Sequence, residues 1–281
     1  MKAALKALPS TLEPKPFLKW AGGKAKLAPE ILARFPERFG RYYEPFLGGG
    51  AIFFSLGPRL ATLSDLNAEL IATYVAIRDN VDRVIEALVP HQANEEHYYA
   101  VRALSTQTLG PVEVAARTIY LNRTCYNGLY RVNSRGQFNV PFGRYANPRV
   151  VNPENLHAVS AVLQGVELLH QSVFEIGDQA RPGDLVYFDP PYDPVSPTAS
   201  FTSYAGTFGR EEQLRLFELF RELARRGVHV VLSNSDTPFI RGLYHAFKIE
   251  TVYCRRAINS RADRRGPVTE VLVSAPASVR F

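Results

Sequence analysis

Seven short apolar stretches punctuate the chain: RYYEPF (41–46), LATLSD (60–65), GVELLH (165–170), DLVYFD (184–189), VHVVLSN (228–234), FKIETVY (247–253) and EVLVSA (270–275). Each reads as a strand. DLVYFD and VHVVLSN are nearly continuous apolar runs, the pattern of strands covered on both faces. Between them, REEQLRLFELFRELARRG (210–227) sets Leu214, Phe217, Leu219, Phe220 and Leu223 on a helical stripe, with acids early and Gly227 at the end. Strand, helix and strand in succession predict a parallel pair with a right-handed crossover. The last two strands are joined through RRAINSRADRRGPVT and are expected to pair antiparallel.

The middle of the chain has a different period. From about Asn67 to Leu163 the pattern is helical, with helices expected near 67–89, 94–105 and 111–122. RVNSRGQFNVPFGRY (131–145) then reads as a hairpin turning at Ser134-Arg135-Gly136. The expected fold class is α/β: a sheet domain interrupted by a helical module that carries a hairpin.

The 281 residues, 46% of them apolar, suffice for one sizeable core with a smaller appendage. A formal charge of +6 and a pI near 9.3 point towards nucleic acid or another anionic partner. Cys125 and Cys254 lie far apart and suggest buried reduced thiols rather than a disulfide framework or a zinc site. No apolar run approaches the ~18 residues of a membrane span. The opening MKAALKALPSTLEPKP is broken by Lys6 and Pro9 and reads as a frayed arm rather than a signal peptide.

Four stretches carry candidate chemistry. In DLVYFDPPYDP (184–194) a buried strand runs into Asp189-Pro190-Pro191-Tyr192. Prolines stop the ladder and fix the backbone, giving a stiff rim at the carboxyl end of a strand, where open α/β sheets bind ligands. In EPFLGGGAIFFSL (44–56), Gly48 to Gly50 follow a strand and open a helix; a nucleotide cofactor and plain close packing both use such a turn. No phosphate-gripping GK[ST] follows. In LSDLN (63–67), Asp65 ends the second strand, suited either to ribose hydroxyls or to capping the next helix. In FLKWAGGKAKL (17–27), the only tryptophan, Trp20, sits among glycines and lysines, either as an anchored segment or as an aromatic wall with a cation.

FLKWAGGK, EPFLGGG, LSDLN, YLNRTCYNGLYRVNSRGQFNVPFGRY, FDPPYDPVSPTASFTSY and VVLSNSDT occur in that order. Together they resemble the Dam family of DNA adenine-N6 methyltransferases, over residues 17 to 274 or so. The resemblance implies a Rossmann-like seven-stranded methyltransferase sheet, S-adenosylmethionine as methyl donor, no metal, and duplex DNA as partner with GATC as target. It also implies a bacterial or phage protein of the cytoplasm, with no membrane and no obligate protein partner. It divides the chain into an N-terminal arm (1–16), a catalytic domain (17–66 and 164–281) and a target-recognition domain (67–163).

The resemblance assigns roles residue by residue. The exocyclic amine of adenine is a poor nucleophile, because its lone pair is delocalised into the ring. Asp189 and the Pro190 carbonyl would accept its two hydrogens, and Tyr192 would stack on the base. Trp20, Lys24, Asp65 and Asp189 match the family's donor contacts, with Gly48 and Gly50 shaping the turn. Tyr126, Asn127, Leu129, Arg131 and Pro141 match its recognition positions, and Lys19 matches the residue reading the first base pair. A stacked base cannot reach such a pocket, so it must be flipped out. Phe201 and Tyr204 are candidate pocket walls; Arg144, Arg149, Arg255, Arg256, Arg261, Arg264 and Arg265 are candidate phosphate contacts. An N4-cytosine enzyme, an adenine enzyme of relaxed specificity and a DNA-binding module without catalysis are the alternatives.

Overall fold

The computed structural model describes residues 13–195, 208–254 and 268–275. The seven expected strands are all present, their ends within two residues of the apolar stretches that announce them: β1 (Tyr42–Glu44), β2 (Ala61–Asp65), β3 (Glu167–His170), β4 (Leu185–Phe188), β5 (His229–Ser235), β6 (Lys248–Cys254) and β7 (Val268–Ala275). They form one sheet in the order β3-β2-β1-β4-β5-β7-β6. The first five strands are parallel, and β7 runs antiparallel between β5 and β6, with Asn234 and Thr251 both opposite Val271.

The helices are α1 (Ala28–Leu32), α2 (Ala51–Leu56), α3 (Ala68–Leu88), α4 (Glu95–Ala103), α5 (Pro111–Thr124), α6 (Pro153–Leu163), α7 (Ile176–Gln179), α8 (Arg210–Arg225) and α9 (Pro238–Leu243). The three helices expected in the middle correspond to α3, α4 and α5. Helices α1, α7 and α9 were not anticipated, being too short for a helical period to register. The hairpin is present as a narrow ladder. The Asn133 N–H donates to Gln137 O at 2.9 Å and the Asn139 N–H to Arg131 O at 3.0 Å, around a Val132–Phe138 bridge.

Strand β4 explains why the central strands read as continuous apolar runs. Leu185 and Tyr187 enter one core, with Tyr42 and Leu63. Val186 and Phe188 enter the other, with Tyr43, Val230 and Leu232. Both faces of the pleat are covered, so neither register position needs to be polar. The first core continues into the middle module without a break, through Tyr98, Ile119, Tyr120 and Val140.

The stripe on α8 faces the core as expected through Phe217, Leu219, Phe220 and Leu223, and differs at its start. Leu214 is 48% exposed, while Gln213, Leu216, Phe220 and Leu223 are buried. The buried arc begins with a polar residue, which an apolar-only stripe passes over. Phe220 meets Tyr244 and Phe247 edge-on, with ring centroids 5.2 and 4.9 Å away.

The strand order reverses between β1 and β4. The chain leaves β1 towards β2 and β3 on one side and returns to β4 and β5 on the other. A crevice opens at the carboxyl ends of such a pair. The carboxyl end of β1 leads to Gly48–Gly50, and that of β4 leads to Asp189.

Phe220→Ala is expected to lower unfolding stability by about 3–5 kcal/mol, read from denaturant midpoints, because the aromatic cage around it cannot collapse onto a methyl group.

Candidate active site

The glycine turn requires glycine at two positions. Gly48 and Gly50 have φ of 48° and 69°. A Cβ on Gly48 would lie 2.7 Å from Trp20 Cδ1, and one on Gly50 would lie 2.8 Å from the Tyr74 hydroxyl. Backbone and space thus exclude a side chain at both. Asp65 fastens the turn: its Oδ2 accepts the Gly48 N–H at 3.1 Å and its Oδ1 accepts the Asn67 N–H at 3.0 Å. Burial raises the Asp65 carboxyl, and those backbone N–H groups oppose the rise. The cap of α3 is Asn67, which accepts the Leu70 N–H at 3.0 Å, so the capping alternative for Asp65 does not hold.

Facing the turn, Asp189 Oδ1 lies 2.9 Å from Lys24 Nζ. The approach is oblique, an ion pair without an aligned hydrogen bond. Lys24 is itself buried, and its Nζ donates to Gly22 O at 2.7 Å. Burial raises the Asp189 carboxyl above its ordinary range, and the Lys24 charge pulls it back. The Lys24 ammonium also sits 4.6 Å from the centre of the Tyr192 ring. The Tyr192 hydroxyl donates to Glu270 Oε2 at 2.8 Å.

The stiffness of the rim comes from side chains as much as from proline. Gln213 Nε2 donates to Pro191 O at 2.8 Å. Asn234 Nδ2 donates to Gln213 Oε1 at 3.1 Å, and Asn234 Oδ1 accepts the Asp193 N–H at 3.0 Å. Thr237 Oγ1 donates to Asp193 Oδ2 at 2.7 Å. Gln213, Asn234, Asp193 and Thr237 are buried and Pro191 is half-buried, and satisfied polar groups in such a setting fix a single arrangement. The Pro191 carbonyl is occupied; the Pro190 carbonyl has no hydrogen-bond partner among the described residues.

Near the half-buried Asp189 lies a fully buried acid. Glu44, at the end of β1, accepts the Tyr42 hydroxyl at 2.8 Å. Burial pushes its carboxyl up to about 8, and the nearby Asp189 charge adds to the rise.

Tyr126, Asn127, Leu129, Arg131 and Pro141, the expected recognition positions, cluster around one turn. Tyr126–Gly128 form a 3₁₀ turn in which Asn127 has φ of 56°. The Tyr126 N–H donates to Pro141 O at 2.8 Å, bringing those two exposed residues together. Arg131 is exposed, and Asn139 holds it: Nε donates to Asn139 Oδ1 at 2.7 Å. Leu129 is half-buried against the core. Lys19 packs on the turn from the other segment, and a Cβ on Gly128 would come 2.4 Å from Lys19 Cδ. Its ammonium lies 4.8 Å from the Tyr145 ring centre. Buried Asn122 ties these pieces, accepting the Lys19 N–H at 2.8 Å and donating to Lys19 O at 2.7 Å and Gly128 O at 3.2 Å.

Glu44, Asn122, Tyr130, Gln213 and Glu270 were not singled out by sequence reasoning. Asn234 gave a signal, as an amide inside an otherwise apolar strand that stays wholly buried. Arg144 and Arg149 are exposed, near Glu95 at 3.7 Å and Asn152 at 2.8 Å respectively. Phe201, Tyr204, Arg255, Arg256, Arg261, Arg264 and Arg265 lie outside the described residues.

Residues 20–258 match the family model described as D12 class N6 adenine-specific DNA methyltransferase. The chain is 41% identical over 269 residues to the Type II methyltransferase M1.LlaDCHI of Lactococcus lactis subsp. cremoris, covering 92% of this chain and 95% of that protein. It is 40% identical to the Type II methyltransferase M.MjaIII of Methanocaldococcus jannaschii, covering 90% and 96%. It is 37% identical to the DNA adenine methylase of Escherichia coli K12, covering 91% and 93%.

The Glu44 geometry fixes the sign of a pH effect. A carboxyl raised from 4.5 to about 8 in the folded state favours folding below pH 4.5, and this favour is lost as pH rises through 8. Glu44→Gln keeps the acceptor for Tyr42 and cannot ionise. Denaturant titrations across that range are expected to show the wild type losing stability relative to Glu44→Gln as pH rises.

Proposed function

Because the chain belongs to the D12 class of N6 adenine-specific DNA methyltransferases, we propose that it moves a methyl group from S-adenosylmethionine to N6 of an adenine flipped out of a short duplex site, GATC. The donor supplies a methyl group on a positively charged sulfur; the rest of the chemistry falls to the chain's own residues. Trp20, Lys24, Asp65 and the Gly48–Gly50 turn hold the donor. The backbone approach that two side-chain-free glycines allow supports this assignment, as does the aromatic face of Trp20 for a sulfonium.

The target base enters beside Asp189. The Asp189 carboxylate accepts one N6 hydrogen and the Pro190 carbonyl the other. This draws the nitrogen lone pair out of the ring and aims it at the methyl group, at the ~3 Å of a near-attack geometry. Tyr192 stacks on the base. The observation that carries the reading is the rim itself. Gln213 occupies the Pro191 carbonyl while the Pro190 carbonyl has no hydrogen-bond partner among the described residues, next to a carboxylate paired with Lys24 at 2.9 Å. Two acceptors at that spot suit an amine that must present two hydrogens.

Extracting the base from the stack costs a few kcal/mol. Tyr126 and Asn127, exposed at the tip of their turn, fill the vacated space, and an aromatic there recovers about 1–3 kcal/mol. Arg131 reads a guanine by O6 and N7; its hold on Asn139 sets the guanidinium plane beforehand. Lys19 reads the first base pair, and Leu129 and Pro141 line the same face.

Labelled S-adenosylmethionine with a GATC duplex, and with each base pair changed in turn, tests both the chemistry and the site. Label only in the unchanged duplex is expected; label in every duplex would discard GATC and keep methyl transfer. Asp189→Ala should lower single-turnover methyl transfer by about 10²–10³-fold, the scale of losing one preorganised polar group, while duplex binding persists. An unchanged rate would remove Asp189 from the reacting centre. Arg131→Ala should relax discrimination at one guanine by about 1–3 kcal/mol and leave the other positions as they were.

A further inference from the structure

Trp20 touches both halves of the proposed machinery. It lies against the glycine turn at Gly48, within 2.7 Å of where a Cβ would stand. It also stacks on Tyr130, with ring centroids 5.2 Å apart and planes 26° from parallel. Tyr130 sits between Leu129 and Arg131 in the recognition stretch, yet its ring faces the donor side.

Tyr130 is also fastened at its far end. Its hydroxyl donates to Glu69 Oε2 at 3.3 Å. Glu69 Oε1 accepts from Thr118 Oγ1 at 2.6 Å and from Arg117 at 3.2 Å. The ring therefore spans from the first turn of α3, just past Asp65, to Trp20. One residue earlier in the chain, Lys19 is bound through Asn122 to Gly128. Two adjacent residues, Lys19 and Trp20, thus carry two separate attachments to the recognition turn.

The turn places Asn127 at φ 56°, in the left-handed region that asparagine enters more readily than most residues. Tyr130 follows that turn by two residues, so its stack on Trp20 fastens the segment that leaves the turn.

We propose that the Trp20–Tyr130 stack makes the recognition turn part of the donor site, so that donor binding and DNA binding strengthen each other through Tyr130. The inference rests on the reading of Trp20 as the donor wall and of 126–131 as the reading turn. Coupling of this kind is reciprocal: the factor by which donor tightens DNA equals the factor by which DNA tightens donor. Tyr130 is a positioning residue here, acting through Trp20.

The test uses the full chain, S-adenosylhomocysteine as a non-reacting donor probe, and a duplex that the wild type methylates. Trp20 is the only tryptophan, so its emission reports the donor side, while anisotropy of a labelled duplex reports DNA. In the wild type each ligand is expected to tighten the other. Tyr130→Ala should reduce that factor by about 2- to 12-fold, the range an aromatic pair contributes. Tyr130→Phe keeps the stack and should keep the coupling. If Tyr130→Ala does not fold, Tyr130→Leu fills the space without a stacking face and carries the same expectation. Undiminished coupling in the Ala or Leu variant overturns the proposal, as does a wild type that binds both ligands independently. A wild type that binds neither ligand overturns the methyltransferase reading itself, and this inference with it.

Discussion

Asp189 is a carboxylate set directly after a strand whose four residues are all buried. Burying an unpaired charge there would be costly, and Lys24 at 2.9 Å is what answers it. That pairing dictates much of the surrounding architecture. Lys24 must come from a segment that crosses the crevice, so the FLKWAGGK stretch lies over the carboxyl ends of β1 and β4. Once it lies there, Trp20 meets the glycine turn and Lys19 meets the recognition turn. A single electrostatic requirement brings three functional segments to one place.

The pair is also unfinished. Lys24 meets Asp189 obliquely and is shared with the Gly22 carbonyl and the Tyr192 ring. A perfectly satisfied buried pair would resist any newcomer. Here the Lys24 charge is divided among three partners, so no one of them holds it alone. Glu44, kept largely neutral by burial below pH 8, adds little repulsion to this arrangement at neutral pH.

The fold was legible because burial writes itself into the strands: both-face burial gives DLVYFD and VHVVLSN their continuous apolar text, and β7 its Val271-Leu272-Val273 run. The candidate site was legible because proline and glycine change backbone options in ways few other residues do. What escaped were residues whose importance depends on a partner far away in sequence. Gln213 looks like a solvent-facing polar residue on a helix until Pro191 and Asn234 are placed beside it. Glu270 looks like the polar face of a strand until Tyr192 reaches it. Asn122 lies inside an apolar helix without any local mark of its double attachment to Lys19. The exposure of Leu214 on α8 has the same origin, because the buried arc of that helix starts at that glutamine.

The bond from Gln213 to Pro191 joins two regions with little else in common. Helix α8 packs by Leu216, Phe220 and Leu223 into the core on the far face of the sheet, yet its first turn grips the rim of the crevice. The helix therefore acts as a lever whose fulcrum is hydrophobic and whose tip is a single amide. A shift of α8 along its axis, whether from warming or from repacking around Phe220, would be delivered to the rim before any strand separated. The geometry of the rim is thus tied to the condition of a core on the far face of the sheet.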